Sequence, residues 1–388
     1  MKNILFCIFF FASLQNVFSQ GSTFVFTNTG TNAQMDTALN YTGRIWGKFL
    51  NSIIPIKVNI YYTNLGPANN LAVTIPNGRR DFTGAYLDSI WYSSSLANSI
   101  DNIELNPGES DMDIYVNSST NWYLDTLGNP GASQYDFVTV MLHEMAHGLA
   151  FLSLVKLDAS DFGSFGLVTA ADIAPLTSSF PFPDLQRHPS TMAVFMENNA
   201  GQSLIDTIIF PNNSVALGNE FTSNAVYFNG LISNAENGGS KVRLYAPLTY
   251  SSGSSMQHLH ESTFPASNPN SLMTPFINAQ EVHHHPGDLT IAMMEDMGWN
   301  VNYIAGISEE NEFIFTAFPN PANDRLIIYP QTNKGTFILY DIQGRVLTQQ
   351  EFSSSTAFTI EVNDFARGNY IMEIISDEYH HSSKLILE

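Results

Sequence analysis

Cysteine is almost missing from this chain, and cations are scarce. Its 388 residues hold one cysteine, Cys7, and 15 lysines plus arginines against 36 aspartates plus glutamates, a formal net charge of -21. A single cysteine excludes an internal disulfide, so stability must come from core packing or a bound metal. The cation deficit argues against nucleic acid or an anionic membrane surface as partner, since both demand clustered positive charge. No stretch beyond the first twenty residues approaches the ~18 apolar residues of a membrane span. Apolar residues, by contrast, are plentiful. With 44 % hydrophobic and only 13 % charged residues, the chain is globular and long enough for two domains with cores of their own.

Residues 1–20 have the form of a secretory signal peptide: Lys2, an apolar run from Ile4 to Leu14, then Ser19 before a cut near Gln20. Cys7 lies inside that run, so the mature protein is expected to lack cysteine and with it any thiol latch over a metal. Export through the periplasm is expected, to the cell surface or the medium. A strand is expected over 22–27, a helix over 36–50, and a half-buried strand over 55–62, where Ile56, Val58, Ile60 and Tyr62 alternate with polar neighbours. Irregular and helical pieces follow over 87–103, and a further strand over 111–117. Asp111 and Asp113 are expected to be solvent-facing carboxylates of that strand, and calcium at this pair has no further support.

The stretch with chemical content is 138–151, which sets His143, Glu144 and His147 at the spacing His-Glu-x-x-His. On a helix, residues four apart lie one above the other, so two imidazoles can share one cation while Glu144 faces a water bound to it. Ser133 is expected to cap this helix, with Asp136 in its first turn and Phe137, Val140 and Met141 facing the core. A catalytic zinc takes three protein ligands and keeps one open position, so a third ligand must be found. Ala150 and Ser153 stand where the metzincin arrangement has glycine and histidine, so the compact motif is not completed here, and Gly148 is the one nearby residue suited to a sharp turn.

Further along lie Gly253-Ser-Ser-Met-Gln-His-Leu-His-Glu-Ser262, then Asn270-Ser-Leu-Met-Thr-Pro-Phe276, then Gly287 to Trp299 ending in Asp-Met-Gly-Trp. This ordered trio resembles the leishmanolysin-like metzincins. The resemblance implies an α+β metallopeptidase domain with Zn2+ on His143, His147 and His258. It implies Glu144 as general base in endopeptidase catalysis on protein or peptide substrates, and Met273 as the methionine of the turn beneath the metal. Ala150 replaces the family's turn glycine. His260, two residues from His258, is the competing ligand, and one of the pair is expected to reach the metal. Glu197, on a helix expected over 191–198, would serve a two-histidine, one-glutamate site. His283, His284 and His285 are expected to form a solvated loop at the cleft rim.

Residues 158–250 are loop-rich and read as an insertion within the peptidase domain, which spans 21–306. An acidic stretch, 307–312, opens a last domain over 307–388, where short alternating strands at 325–329, 336–340, 358–362, 370–375 and 383–387 describe a small antiparallel β-sandwich. Phe318-Pro-Asn-Pro-Ala322, Leu339-Tyr-Asp-Ile-Gln-Gly-Arg-Val346, Gly368-Asn-Tyr-Ile371 and Ser383-Lys-Leu-Ile386 resemble the C-terminal sorting domain of type IX secretion substrates in Bacteroidetes. That resemblance implies the type IX secretion machinery as partner. A surface adhesin retaining a structural metal site, and a metal hydrolase acting on a non-peptide amide or ester, are the competing readings of the whole chain.

Overall fold

The structure is a computed structural model. It describes residues 21–302 apart from 177, 179–181 and 183, and residues 315–388 apart from 331–332, 342–343, 355 and 377–379. The expected signal peptide and Cys7 lie outside the described residues. The chain divides into two compact units, 1–304 and 305–388, each taken here by itself. Among the described residues no helix is long and apolar enough to cross a membrane.

The first unit is α+β. Its main sheet runs Phe24–Thr29, Ile56–Thr63, Met112–Asn117, Ala72–Pro76, with the first three strands parallel and the last antiparallel at the edge. The helix Ala33–Phe49, capped by the Asn32 side chain on the amides of Gln34 and Met35, makes the crossover between the first two strands. It packs with the helix Phe137–Gly148 in one apolar core, joined by Ile56, Val58, Ile60 and Ile114 of the sheet. Ile75, Trp91, Tyr115, Leu152 and Leu154 form a separate apolar cluster. The strand Met112–Asn117 is therefore buried along its whole length.

That burial corrects the reading of Asp111 and Asp113, which are not solvent-facing: each is only 2 % exposed. Alternation implies one wet face, whereas this strand is covered on both. Asp111 accepts from the Lys57 amide at 2.8 Å and the Asn98 side chain at 3.1 Å, and Asp113 from Asn59 at 2.9 Å. Burial pushes the Asp111 carboxyl up to about 7.

Residues 158–250 contribute Phe165, Met192, Leu217, Phe221, Val226 and Phe228 to the same main core, so the segment is part of the domain's interior. It contains a small antiparallel sheet, Met196–Asn198, Val226–Phe228 and Val242–Arg243. The helix expected over 191–198 is only Thr191–Val194; the chain then turns into a strand, where Glu197 pairs with Lys241 and accepts from Asn229. Glu197 is spoken for, and does not join the histidines.

The second unit is an antiparallel β-sandwich. One sheet holds Phe315–Phe318, Arg325–Pro330 and Phe358–Glu361; the other holds Val346–Phe352, Gly335–Asp341, Gly368–Ile375 and His380–Leu387. Leu326, Ile328, Phe337, Leu339, Tyr370, Met372 and Ile374 fill the space between them. The strand Val346–Phe352 escapes a pattern search because its residues are mostly polar or half-exposed.

Candidate metal centre

The helix Phe137–Gly148 is fixed from several sides. Its cap is Asp136, whose carboxylate accepts from the Thr139 amide at 2.8 Å and the Thr139 hydroxyl at 2.7 Å, and not Ser133. A cap one residue before the helix leaves no room for a longer first turn, which is why Ser133 falls outside it. Two buried indoles donate to its carbonyls, Trp46 to Leu142 at 3.1 Å and Trp299 to Leu149 at 2.6 Å. At Gly148 an added Cβ would lie 2.2 Å from the Met112 sulfur, so this glycine serves close packing on the sheet.

The sharp turn lies two residues later. Phe151 donates its amide to Ala146 at 3.0 Å and Ala150 donates to His147 at 3.3 Å, the bond pair of a Schellman ending, with Ala150 at φ 104 where glycine is usual. Alanine thus stands at a left-handed position that glycine adopts more readily. The turn brings the Phe151 carbonyl within 2.7 Å of His147 Nδ1.

His258 arrives from the end of the 158–250 segment. Residues 243–245 run antiparallel to 256–260: Tyr245 donates to the His258 carbonyl and Met256 to the Tyr245 carbonyl, both at 2.8 Å, and His260 to Arg243 at 3.0 Å. The chain turns sharply through 252–258, with Met256 at φ 71, and this turn carries His258 inward, 4 % exposed. His260 is half-exposed, its Nδ1 bonded to Thr263 at 2.8 Å, and does not join the other histidines. Leu259 donates to the Met273 carbonyl at 2.8 Å, tying this segment to the turn that carries Met273, itself fully buried.

The structure brings His143, His147 and His258 together. Their facing nitrogens are close: His143 Nε2 lies 3.1 Å from His258 Nε2 and 3.1 Å from His147 Nε2. Each ring donates its other N–H to a carbonyl: His143 to Leu272 at 2.7 Å, His147 to Phe151 at 2.7 Å, His258 to Ser254 at 2.8 Å. A neutral imidazole that donates through Nδ1 carries a lone pair on Nε2. Three lone pairs therefore converge, an arrangement that repels itself without a cation between them. Ligands at ~2.05 Å from a four-coordinate zinc lie about 3.3 Å apart, so the spacing suits that ion. Burial keeps the rings neutral, pushing His143 down to about 4, His147 to about 3, and His258 well below the usual value. The donor set fits zinc.

Glu144 is 7 % exposed, and burial raises its carboxyl to about 7, opposed by a hydrogen bond from Thr74. Sequence reading passed over Thr74. It sits on the edge strand Ala72–Pro76, whose short run Ala-Val-Thr-Ile alternates weakly, and its hydroxyl lies 2.6 Å from Glu144 Oε2.

The run His283–His285 is only partly solvated: His283 and His284 are half-buried, and His285 is exposed. His283 Nε2 lies 3.1 Å from both Glu281 Oε1 and Ser271 Oγ, His284 Nε2 lies 2.8 Å from Asp136, and the His285 ring meets Phe49 edge-on. His283 and His284 brace the turn before Met273 and the helix cap through these hydrogen bonds, which keep them half-buried.

Comparison with known proteins bears on the second unit. No characterised sequence matches the chain. Among solved structures, a DUF3244-family protein with an immunoglobulin-like β-sandwich from Bacteroides vulgatus is 20 % identical over 19 % of this chain and 85 % of its own, with a TM-score of 0.18. PorZ, a surface component of the type IX secretion system of Porphyromonas gingivalis, is 18 % identical over 19 % of this chain and 11 % of its own, with a TM-score of 0.17. Residues 316–388 match the family model described as a secretion system C-terminal sorting domain. The protein therefore carries a type IX sorting domain at its C-terminus, engages that secretion machinery, and is secreted or displayed at the cell surface.

Proposed function

We propose that the protein is a secreted zinc-dependent endopeptidase of the leishmanolysin-like metzincin kind, with His143, His147 and His258 as zinc ligands. The observation that carries this reading is the convergence of three neutral imidazole nitrogens beside Glu144, each ring oriented by a backbone carbonyl. Met273, buried beside the carbonyl that orients His143, supports the family assignment. Zinc, when bound, lowers the pKa of its water toward ~7 and polarises a carbonyl oxygen. Glu144 then takes the proton of the attacking water and passes it to the leaving amine. Its raised pKa suits a group that must hold a proton between those two steps.

The edge strand Ala72–Pro76 runs alongside the helix, and an extended peptide pairing with that edge would pass Glu144. The test is zinc content of the exported protein together with peptide cleavage by Glu144→Gln. One zinc per chain and a cleavage rate lowered by roughly 100- to 10,000-fold are expected. A zinc-free protein, or undiminished cleavage in the variant, would refute the reading. Cleavage of esters or non-peptide amides alone would redirect it to another hydrolase class.

A further inference from the structure

We propose that Thr74 is the positioning residue of Glu144, an inference that rests on the peptidase reading above. The side chains come from distant parts of the chain and meet because the helix Phe137–Gly148 packs on the edge strand. Thr74 Oγ1 lies 2.6 Å from Glu144 Oε2 and 3.0 Å from the Glu144 main-chain carbonyl. A hydroxyl has one proton and lone pairs to accept with. It therefore has one proton for two acceptors, and the shorter contact, to the carboxylate, takes it.

The Thr74 hydroxyl donates to Glu144 Oε2, and this bond fixes the carboxylate plane and leaves Oε1 for the water. The Glu144 main-chain carbonyl, 3.0 Å from the same hydroxyl, ties the contact to the helix backbone, so strand and helix orient the carboxyl together. Such orienting contacts are worth about 10- to 100-fold when removed. The rest of the strand does not share the role. Ile75, the next residue, belongs to the other apolar cluster, away from the helix.

Thr74→Val removes the hydroxyl at constant shape, and valine suits a strand, so the fold is expected to hold. Thr74→Ser restores the hydroxyl. The expected result is kcat reduced about 10- to 100-fold in the valine variant, with KM within about twofold and zinc content unchanged, and recovery to within about threefold in the serine variant. A second readout needs no turnover: the 13C carboxyl resonance of Glu144, assigned by its absence in Glu144→Gln, should move in Thr74→Val and return in Thr74→Ser. The proposal is overturned if the valine variant matches the wild type, if serine fails to rescue, or if zinc is lost along with kcat. Were the wild type itself to bind no zinc or cleave no peptide, the proposed function would fall, and the carboxyl resonance would still decide whether Thr74 holds Glu144.

Discussion

The domain holds two groups of three histidines, one buried and one running from half-buried to exposed, and they differ in what their ring nitrogens find. In His143, His147 and His258 one nitrogen donates to a main-chain carbonyl and the other faces two more of its kind. In His283, His284 and His285, the first two rings spend their Nε2 on Glu281, Ser271 and Asp136, and the third accepts the Gly287 amide. The first group points three nitrogens at one place, and the second sends its bonded nitrogens to separate partners. Clustering along the chain is therefore a poor guide to ligation: the consecutive run braces, and the scattered trio converges.

The largest test of that contrast is zinc binding. His258→Ala is expected to weaken zinc by more than about 100-fold, beyond the loss of an outer-shell partner, while His260→Ala and His284→Ala keep one zinc per chain. Retention in the first variant and loss in either of the others would invert the assignment. Next in size is a buried acid whose capacity is fully used, Asp111. Its folded pKa of about 7 lies above the ordinary 3.8. Between those values the folded chain binds a proton that the unfolded chain has lost, so stability is full below about pH 4 and is lost as pH rises through 7. Relative to Asp111→Asn, the wild type should lose about 2–3 kcal/mol between pH 5 and pH 8 in urea unfolding. A constant difference would show that the surrounding N–H groups offset burial.

Smaller again is the bracing role of the second group. His284→Ala deprives the Asp136 cap of one donor and should lower stability by about 1–2 kcal/mol with zinc content intact. Thermal unfolding of zinc-loaded protein measures it, and a shift in zinc affinity instead would blur the distinction between the groups. The smallest effect concerns the turn that orients His147. Ala150→Gly relieves a left-handed alanine, and a gain of about 0.5–1 kcal/mol is expected, read from the same unfolding curves.

Much of the fold and part of the site were legible in the residues. His143, Glu144 and His147 followed from helical spacing, and His258 from a resemblance that named its place; the choice over His260 does not follow from alternation, which would put residues two apart on one face, but from the turn at Met256 and the bond of His258 to Ser254. The orienting carbonyls of Leu272, Phe151 and Ser254 were invisible, because a main-chain acceptor leaves no mark in composition. Thr74 was missed because one hydroxyl in a five-residue strand looks like any other. Asp111, Asp113, His283 and His284 were read as wet because each looks polar in isolation. Their partners come from elsewhere in the chain or from the loop itself, and local pattern does not reveal them.

The separation of His258 from His143 by 115 residues has a bearing on assembly. Closing a loop of that length costs about 4 kcal/mol of chain entropy, to be recovered only when the intervening segment has packed into the core. Until then the chain offers a metal two imidazoles on a helix, a weak and unselective pair. On the zinc reading, tight uptake of the ion would be a late event in maturation, reserved for molecules whose intervening segment has found its place, and an exported chain that misfolds there would emerge inert.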